Sequence, residues 1–401
     1  MKDGIAVIID DDIGDENANV SLLIDSIEAK HIPCIKYVTL PNDRCVKNFA
    51  DAAFIILDWN LHNSLGSLGE YGVRSTLLKE EDEQENIRFI QLVLKSCFVP
   101  LFIFTNENTA DVESKLRASD LYTADIPNRI FIESKSSLVN GNDLDLKITQ
   151  WTKKNPSVQI LNKWDFAYKK AKSELFNDFY AASPCWPLIM KKEMDEDGIS
   201  PDTAFIDLIT RNLITRISPL ATVSFDSALL ANSKSDRTAI EKVLQGERYI
   251  HKRKLGDKEI RTGDLFKLDG KYYLNIKSHC DLLRCNRTQL DLYLLEGTVF
   301  TDEEIQTRFE SEYAEGWKGN WKNHVDEAII SYLDDQKHIR FSFRDFSIRK
   351  WVDIKDYRVG RLLDPYMLNV QQRFSLYISR QGFLRIPEVL MPTSNQTDTI
   401  P

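Results

Sequence analysis

Four short apolar segments, each followed by a polar or charged residue, limit the fold of this chain more than any other feature. They are Ile5–Ile9 with Asp10, Asp11 and Asp12 behind it, Ala52–Leu57 with Asp58, Pro100–Phe104 with Thr105, and Arg129–Ile132 with Lys135 close behind. Apolar residues at helical spacing lie between these segments, as in Ala18–Ala29 and Thr109–Ala118. Continuous apolar strands that alternate with amphipathic helices are typical of a parallel sheet covered on both faces. With Ile35–Leu40 as a fifth strand, the pattern predicts an α/β fold with a doubly wound five-stranded parallel sheet.

The polar residues behind the strands predict a site at one edge of this sheet, because ligands of such sheets bind beyond the carboxyl ends of the strands. Asp10 and Asp11, together with Asp58, form an oxygen-rich set that suits Mg²⁺, which binds one or two carboxylates besides waters and phosphate oxygens. The Thr105 hydroxyl and the Lys135 ammonium could hold the remaining oxygens of a phosphoryl group. The set suits phosphoryl transfer to Asp58, because the cation and Lys135 offset the developing negative charge.

Residues 3–150 resemble the receiver domain of bacterial two-component response regulators. The segments that carry the resemblance are IAVIIDDD, FIILDWN, VPLFIFTNEN and RIFIESKS, in the order acid pair, Asp, Thr, Lys. The resemblance implies a flavodoxin-like sheet, phosphorylation of Asp58 and a histidine kinase as partner. It also implies a Mg²⁺ site formed by Asp11, Asp58 and the carbonyl of Asn60, with Asp10 assisting through water. Thr105 and Lys135 would contact the phosphoryl oxygens.

The resemblance further implies a role for Asn60 and Glu107, which in receivers flank the path of the water that hydrolyses the phosphoaspartate. The same pair occurs in chemotaxis receivers that lose their phosphoryl group rapidly, whereas the large Asn106 should narrow the access to phosphorus. Orientation of the attacking water should prevail, so we expect phospho-Asp58 to last minutes or less. Such a protein could act as a phosphate sink or buffer: it would remove phosphoryl groups from a kinase and so prevent background signalling from activating a sister effector.

The chain departs from the receiver pattern at three places. A long insertion occupies about residues 61–85, Ile132 stands where an aromatic residue is common, and Ser136 follows Lys135 in place of proline. These departures leave open a second interpretation, a pseudo-receiver scaffold that folds but is not phosphorylated.

The remainder of the chain predicts further segments. We expect a receiver-like domain at 1–152, a linker helix at 153–187, an α+β module with a small β-barrel-like part at 188–392, and a flexible tail at 393–401. In the module, the Asp269-Gly270 pair between two apolar runs predicts a β-hairpin. Val325–Leu333 and Val359–Tyr377 are expected to be helical, and Trp351–Ile354 to be a strand. The fragment GDLFKLDGKYYLNIKSHCDLL loosely resembles modules of phage-defence-associated bacterial proteins, which suggests an antiviral setting.

A receiver-gated effector is the third interpretation. Asp264, followed by Asn275 and Lys277, has the outline of the metal-binding hairpin of restriction-type nucleases, but Asn275 removes one of the carboxylates that the metal needs. Basic and aromatic residues alternate over positions 340–361, a pattern that binds nucleic acid or belongs to a strand with one solvated face. No Walker motif or nucleophile elbow is present, so we expect no enzymatic activity beyond self-phosphorylation and dephosphorylation.

Charge and cysteine content favour a soluble cytoplasmic protein. The formal net charge is −9, of which the first 150 residues contribute −11 and the remainder +2, so a nucleic-acid-binding arm at the start is excluded. No run of 18 apolar residues and no apolar start for a signal peptide occur, so no membrane partner is expected. The six cysteines are scattered rather than arranged as a disulfide framework. A homodimer is left open.

Overall fold

A computed structural model of the chain divides into two compact units. The N-terminal unit comprises residues 1–184 and 210–233, and the C-terminal unit comprises residues 185–209 and 234–401. The structure describes residues 4–15, 19–61, 76–123, 128–138, 141–217, 225, 227, 237–257, 259–284, 289–314, 316, 321, 324–381 and 387. Among these residues, no helix is long and apolar enough to cross a membrane.

The N-terminal unit is built on five parallel strands in the order β2-β1-β3-β4-β5. The strands are β1 (Ile5–Ile9), β2 (Cys34–Tyr37), β3 (Ala52–Asp58), β4 (Leu101–Thr105) and β5 (Ile130–Ser134). The helices are α1 (Asn19–Glu28), α2 (Asp43–Val46), α3 (Thr76–Ser96), α4 (Thr109–Ala118), α5 (Gly141–Lys153) and α6 (Pro156–Ala182). This strand order is that of flavodoxin-like doubly wound sheets, and the predicted parallel sheet is confirmed.

Helices cover both faces of this sheet, which explains why β1, β3 and β4 are continuous apolar runs rather than alternating ones. One face packs against α1 and α5, through residues such as Ile24 and Ile148, and also against Val158 of α6. The other face packs against α2, α3 and α4, through residues such as Ile90 and Leu116. Every residue of β3 and β4 is buried. The two-sided core fixes which strand ends meet at the site.

Helix α3 begins at Thr76, ten residues before the predicted start at Asn86 and inside the expected insertion at 61–85. Its first turns are rich in Lys, Glu and Gln, which have high helix propensity and extend the helix into solvent. Residues 62–75 of the insertion lie outside the described residues. At α4 the predicted bounds, Thr109–Ala118, match the structure.

The C-terminal unit contains a curled antiparallel sheet in the order β10-β11-β9-β8-β7-β12-β6. The strands are β6 (Tyr249–His251), β7 (Asp264–Leu268), β8 (Lys271–Asn275), β9 (Asp291–Val299), β10 (Glu327–Ile330), β11 (Ile339–Lys350) and β12 (Arg358–Leu362). The helices are α7 (Trp186–Glu196), α8 (Pro201–Arg216, shared by sequence between the units), α9 (Arg237–Arg248), α10 (His279–Arg284), α11 (Asp302–Ala314), α12 (Trp351–Ile354) and α13 (Tyr366–Ser379).

Two local features shape this sheet. The hairpin predicted at Asp269-Gly270 joins β7 to β8, and both turn residues have positive φ, 52° and 77°, as a type I′ turn requires. Strand β11 shifts its register on β9 between Phe341 and Phe346. Such an irregularity bends a strand and increases its twist, which accounts for the curl.

Three sequence-based expectations in the C-terminal unit are wrong. The segment Val325–Leu333, expected to be helical, contains strand β10, whose four residues are all buried, as a short apolar run allows. Trp351–Ile354 is a helical turn, because Trp351 and Ile354 are buried at i and i+3 spacing. The long helix expected at Val359–Tyr377 is strand β12 followed by α13, since Pro365 cannot stand inside a helix. The tail at 393–401 lies outside the described residues.

Candidate functional site

The carboxyl edge of the parallel sheet brings together the polar residues that follow its strands. Asp10 lies just after β1, Asp58 ends β3, Thr105 ends β4, and Lys135 lies just after β5. All four are buried, with exposed fractions of 3%, 2%, 0% and 8%. Burial of three ionisable groups at one point is costly unless they pair with one another. Their partners therefore define the site.

Lys135 bridges the two buried carboxylates. Its Nζ lies 2.8 Å from Oδ2 of Asp58 and 3.0 Å from Oδ2 of Asp10, and it donates a hydrogen bond to each. Asp10 follows β1 and Asp58 ends the neighbouring β3, whereas Lys135 begins a short 3-10 helix (Lys135–Leu138) after β5 at the edge of the sheet. The ammonium thus holds two negative groups close together at the edge of the sheet.

Burial perturbs all three groups of this bridge. It raises the pKa of Asp58 to about 6, with the Asp10 charge adding to the effect and Lys135 opposing it. Burial also raises the pKa of Asp10, against the influence of Lys135. For Lys135, burial alone would lower the pKa, but the charges of Asp58 and Asp10 outweigh it and the pKa is raised. The ammonium therefore stays charged, and the two carboxylates are short of compensating positive charge.

Asn60 connects Asp58 to the end of strand β4. Its backbone N–H donates to Oδ1 of Asp58 at 3.0 Å, and its side-chain oxygen accepts from the Thr105 hydroxyl at 3.1 Å and from the Asn106 N–H at 3.1 Å. Its amide nitrogen lies 3.3 Å from Oε1 of Glu107 and donates to it. One side chain thus joins the strand that carries Asp58 to the loop that carries Thr105 and Glu107.

Glu107 is surrounded by lysines that the sequence analysis did not single out. It forms an ion pair with Lys79 of α3, and Nζ of Lys115 lies 3.9 Å from its other carboxylate oxygen. Lys115 also pairs with Glu83 of α3 at 2.6 Å. Lys79 and Glu83 lie in the segment expected to be an insertion, and the sequence of that segment contains no recognisable functional motif. Their acidic and basic composition at helical spacing was the available signal.

The turn behind Asp58 is held by a second residue that sequence reasoning missed. Asn86 of α3 is fully buried, and its amide nitrogen donates to the carbonyl oxygen of Trp59 at 2.9 Å. Trp59 is itself buried beside it. A buried amide needs a hydrogen-bond partner, so Asn86 fixes the backbone between Asp58 and Asn60. An asparagine at the start of an otherwise apolar helical stripe was the only hint of this role.

Three acidic residues that follow β1 lie close together. Carboxylate oxygens of Asp10, Asp11 and Asp12 lie within 4.8 Å of one another, and the Asp12 N–H donates to Oδ1 of Asp10 at 3.0 Å. Asp10 is buried, Asp11 half-buried and Asp12 exposed. Carboxylates that are partly open to water are the ligands that Mg²⁺ binds, since it retains several waters. Asp58 is joined to this group through Lys135.

The polar residues of the nuclease-like hairpin in the C-terminal unit serve the fold of that unit. Asp264 is fully buried, and Nε of Arg361 donates to its Oδ1 at 2.7 Å. The Asn275 amide donates to the carbonyl of Arg261 at 3.1 Å, and Nζ of Lys277 donates to the carbonyl of Asp291 at 2.9 Å. These three side chains each support the local backbone or balance a buried charge.

The basic and aromatic stretch over 340–361 is divided among β11, the helical turn α12 and β12, and only the start of β11 alternates between buried and half-buried residues. In the first part of β11, Ile339, Phe341 and Phe343 are buried, whereas Arg340 and Ser342 are half-buried. Arg344 is exposed and pairs with Asp326. The alternation therefore serves the fold of the sheet here.

No protein-family model and no curated protein matches this chain, so the geometry of the site carries the functional argument.

Proposed function

We propose that the N-terminal unit is a receiver of the response-regulator type, which accepts a phosphoryl group on Asp58 from a histidine kinase. The observation that carries this proposal is the buried bridge of Lys135 between Asp10 and Asp58, at the carboxyl edge of a sheet of order 2-1-3-4-5. A buried ion pair alone is a weak argument for function. Here Thr105 and the acidic group Asp10–Asp12 lie at the same edge, which supplies the other polar groups that phosphoryl transfer requires.

The transfer step uses the residues of this edge in separate roles. An oxygen of the Asp58 carboxylate attacks phosphorus, the new O–P bond forms as the N–P bond of the phosphohistidine breaks, and the imidazole leaves with the electron pair and takes up a proton. Lys135 lies within hydrogen-bond distance of Asp58 and offsets charge on the phosphoryl oxygens. Asp10, Asp11, Asp58 and the carbonyl of Asn60 would hold Mg²⁺, which when bound supplies Lewis-acid stabilisation of those oxygens.

We further propose that phospho-Asp58 is short-lived and that the protein acts as a phosphate sink. The argument rests on Glu107 and Asn60, whose side chains contact each other at 3.3 Å beside the Thr105 hydroxyl. A carboxylate held there can orient a water for attack on phosphorus, which breaks the acyl O–P bond and restores Asp58. In this way the protein would remove phosphoryl groups from a cytoplasmic kinase. This role fits an antiviral signalling system that contains a sister effector, the setting suggested by the loose resemblance.

Phosphoryl uptake is tested by intact mass spectrometry after incubation with Mg²⁺ and acetyl phosphate. The protein should gain the mass of one phosphoryl group, and Asp58→Asn should gain none. Asp51→Asn, which changes an exposed aspartate just before β3, is the matched control and should be modified like the wild type. An unmodified wild type, under conditions that modify a known receiver, would support the pseudo-receiver scaffold instead.

The sink proposal is tested by the decay of the purified phosphoprotein. The half-life should be minutes or less, and Glu107→Ala should lengthen it about tenfold. Asn106→Ala should shorten it, because a smaller side chain opens the path of the water. Glu113→Ala, on helix α4 just after this loop and paired only with Arg117 among the described contacts, should leave the half-life unchanged. A wild-type half-life of hours would overturn the sink while leaving phosphorylation of Asp58 intact.

A further inference from the structure

A large cavity lies within the C-terminal unit, far in sequence from the phosphorylation site proposed above. Its volume is about 810 Å³, within the range of roughly 300–1000 Å³ typical of small-molecule sites. The lining residues come from α9, α11, β10, the segment that follows β10, and α13. No sequence motif connects these segments, so only the fold brings them together.

The lining of this cavity is cationic. It contains Arg237, Arg248 and Arg373, and no aspartate or glutamate occurs among the described residues that line it. Arg237 is highly exposed and pairs with Glu241, so it lies at the rim. Arg248 lies deeper, where its NH1 donates to the carbonyl of Ser331 at 3.3 Å and its Nε lies 3.7 Å from Oε2 of Glu247, a residue outside the lining. A cavity lined by guanidinium groups without carboxylates favours an anion.

Arg373 carries the strongest argument for an anion. Its guanidinium donates to two backbone carbonyls, those of His324 at 2.7 Å and Glu327 at 2.9 Å. In the described chain no carboxylate lies within ion-pair distance of it, and its Nε is buried without a hydrogen-bond partner. Burial lowers the pKa of Arg373, with the Glu327 charge opposing. A half-buried cation held only by carbonyls is electrostatically incomplete, and an anionic group would complete it.

Aromatic side chains form the other part of the wall. The Arg248 guanidinium lies 5.0 Å from the ring centroid of Tyr366 and 5.8 Å from that of Tyr332. The rings of Tyr332 and His338 lie 5.0 Å apart, and burial lowers the pKa of His338, so this imidazole is neutral at neutral pH. Flat rings beside guanidinium groups offer stacking surfaces for a planar ligand.

The backbone at this wall is strained. Tyr332 has φ of 61°, a left-handed conformation that is unfavourable for a residue with a bulky side chain. The Ser331 hydroxyl, next to it, contacts both Nε1 of Trp321 and Nδ1 of His338 at 2.8 Å. Strain that the surroundings hold in place is common at ligand sites. Here it directs the Tyr332 ring to the cavity that it lines.

We propose that this cavity binds a nucleotide, with its phosphate at Arg373 and Arg248 and its base against the aromatic wall of Tyr332, Tyr366 and His338. The guanidinium groups match phosphate oxygens, and the rings match a planar base. A nucleotide carries both chemistries in one molecule, as a cavity lined by both cationic and aromatic residues favours.

The ligand class is tested by titration calorimetry of this 401-residue chain with AMP, GMP, CMP and UMP, with the nucleoside of each, and with ribose 5-phosphate. At least one nucleoside monophosphate should bind saturably. Its nucleoside, which lacks phosphate, and ribose 5-phosphate, which lacks the base, should each bind at least about tenfold more weakly. Absence of binding by all four nucleotides would overturn the proposal. Equal binding of ribose 5-phosphate would overturn the part played by the base.

The position of the site is tested by charge changes at Asn369, an exposed residue of α13 that lines the cavity. Asn369→Glu adds a negative charge without loss of core packing and should weaken nucleotide binding about tenfold. Asn369→Lys should leave it equal or stronger. Arg373→Gln should abolish measurable binding, while Arg344→Gln, an exposed arginine outside the cavity, should have no effect. Equal affinities for the Glu and Lys variants would place the ligand elsewhere and overturn the site.

Discussion

At the level of single residues, the raised pKa of Asp58 has a thermodynamic consequence. Because burial raises this pKa to about 6, the native state favours the neutral carboxyl group more than the unfolded state does. The free energy of unfolding should therefore fall as the pH rises from the unfolded value of the carboxyl group, near 3.8, through about 6. An ionised Asp58 at neutral pH should cost on the order of 3 kcal/mol, because each pKa unit corresponds to about 1.4 kcal/mol.

We expect Asp58→Asn to raise the thermal stability of the N-terminal unit in metal-free buffer at about pH 7.5. The variant removes the buried charge and leaves Lys135 paired with Asp10, so the gain should be roughly 6–12 °C. The gain should shrink towards about pH 5, where the wild-type carboxyl group is largely protonated. Calorimetry of both proteins across this pH range checks the prediction. A gain that is constant with pH would show that Asp58 has an ordinary pKa.

Among the secondary-structure elements, helix α3 stabilises the site through Asn86. Replacing Asn86 by Ala should lower the free energy of unfolding by about 1–3 kcal/mol, because the buried carbonyl of Trp59 loses its donor. Gln91→Ala, at an exposed position of the same helix, should change it by less than about 0.5 kcal/mol. Urea unfolding followed by fluorescence measures both changes. If the two variants unfold alike, the Asn86 hydrogen bond does not hold this turn.

Strand β12 requires a glycine where it passes close to β6. A Cβ atom at Gly360 would lie 2.4 Å from the carbonyl oxygen of Ile250 and 2.3 Å from Cζ of Tyr249. Gly360→Ala should therefore destabilise the C-terminal unit by at least about 2 kcal/mol, since the backbone of β6 would have to move. Gly246→Ala, in helix α9 with nothing within 4 Å of the added carbon, should stabilise it by about 0.5–1 kcal/mol. Thermal unfolding of the two variants gives opposite shifts if this packing is correct.

The elements of the N-terminal unit could be predicted from sequence because each has a local pattern. Buried parallel strands are continuous apolar runs, and a polar residue marks where each reaches the edge of the sheet, as Asp58 and Thr105 do. The contacts of the side chains beyond that edge could not be predicted. Glu107 was recognised from its position, but its ion pair with Lys79 depends on how far α3 extends.

In the C-terminal unit, the patterns are less decisive because short buried strands and helices share apolar runs. The turn at Asp269-Gly270 was specific because only a few residue types tolerate positive φ at both positions. The residues 327–330 gave no such signal, and their strand conformation follows from pairing with β11. The cationic cavity was not predicted, because Arg248 and Arg373 lie far apart in the sequence and meet only in the fold.

At the scale of the whole molecule, two separate hydrophobic cores predict two unfolding transitions. The apolar clusters of the N-terminal unit lie within residues 6–158, and those of the C-terminal unit within residues 249–377. Mg²⁺ should raise the midpoint temperature of the first transition, and a bound nucleotide that of the second. Each ligand should increase the free energy of unfolding of its unit by about 2.7 kcal/mol at a hundredfold excess over the dissociation constant. Asp58→Asn and Gly360→Ala assign the transitions in the calorimetric trace. One transition that both ligands shift together would contradict separate cooperative units.

The position of β12 has a consequence for the order in which the chain folds during synthesis. In the parallel sheet, β3, β4 and β5 are consecutive neighbours, whereas β12 at residues 358–362 lies between β7 and β6, which end about a hundred residues earlier. Pairing across so long a stretch is slow, and at 5–20 residues per second the ribosome needs roughly 5–20 s to supply β12 after β6. We therefore expect the parallel sheet to form first. Until then, the edge of β7 that pairs with β12 remains unpaired. Because an unpaired strand edge can pair with another chain, we expect the nascent chain to be most prone to aggregation in this interval.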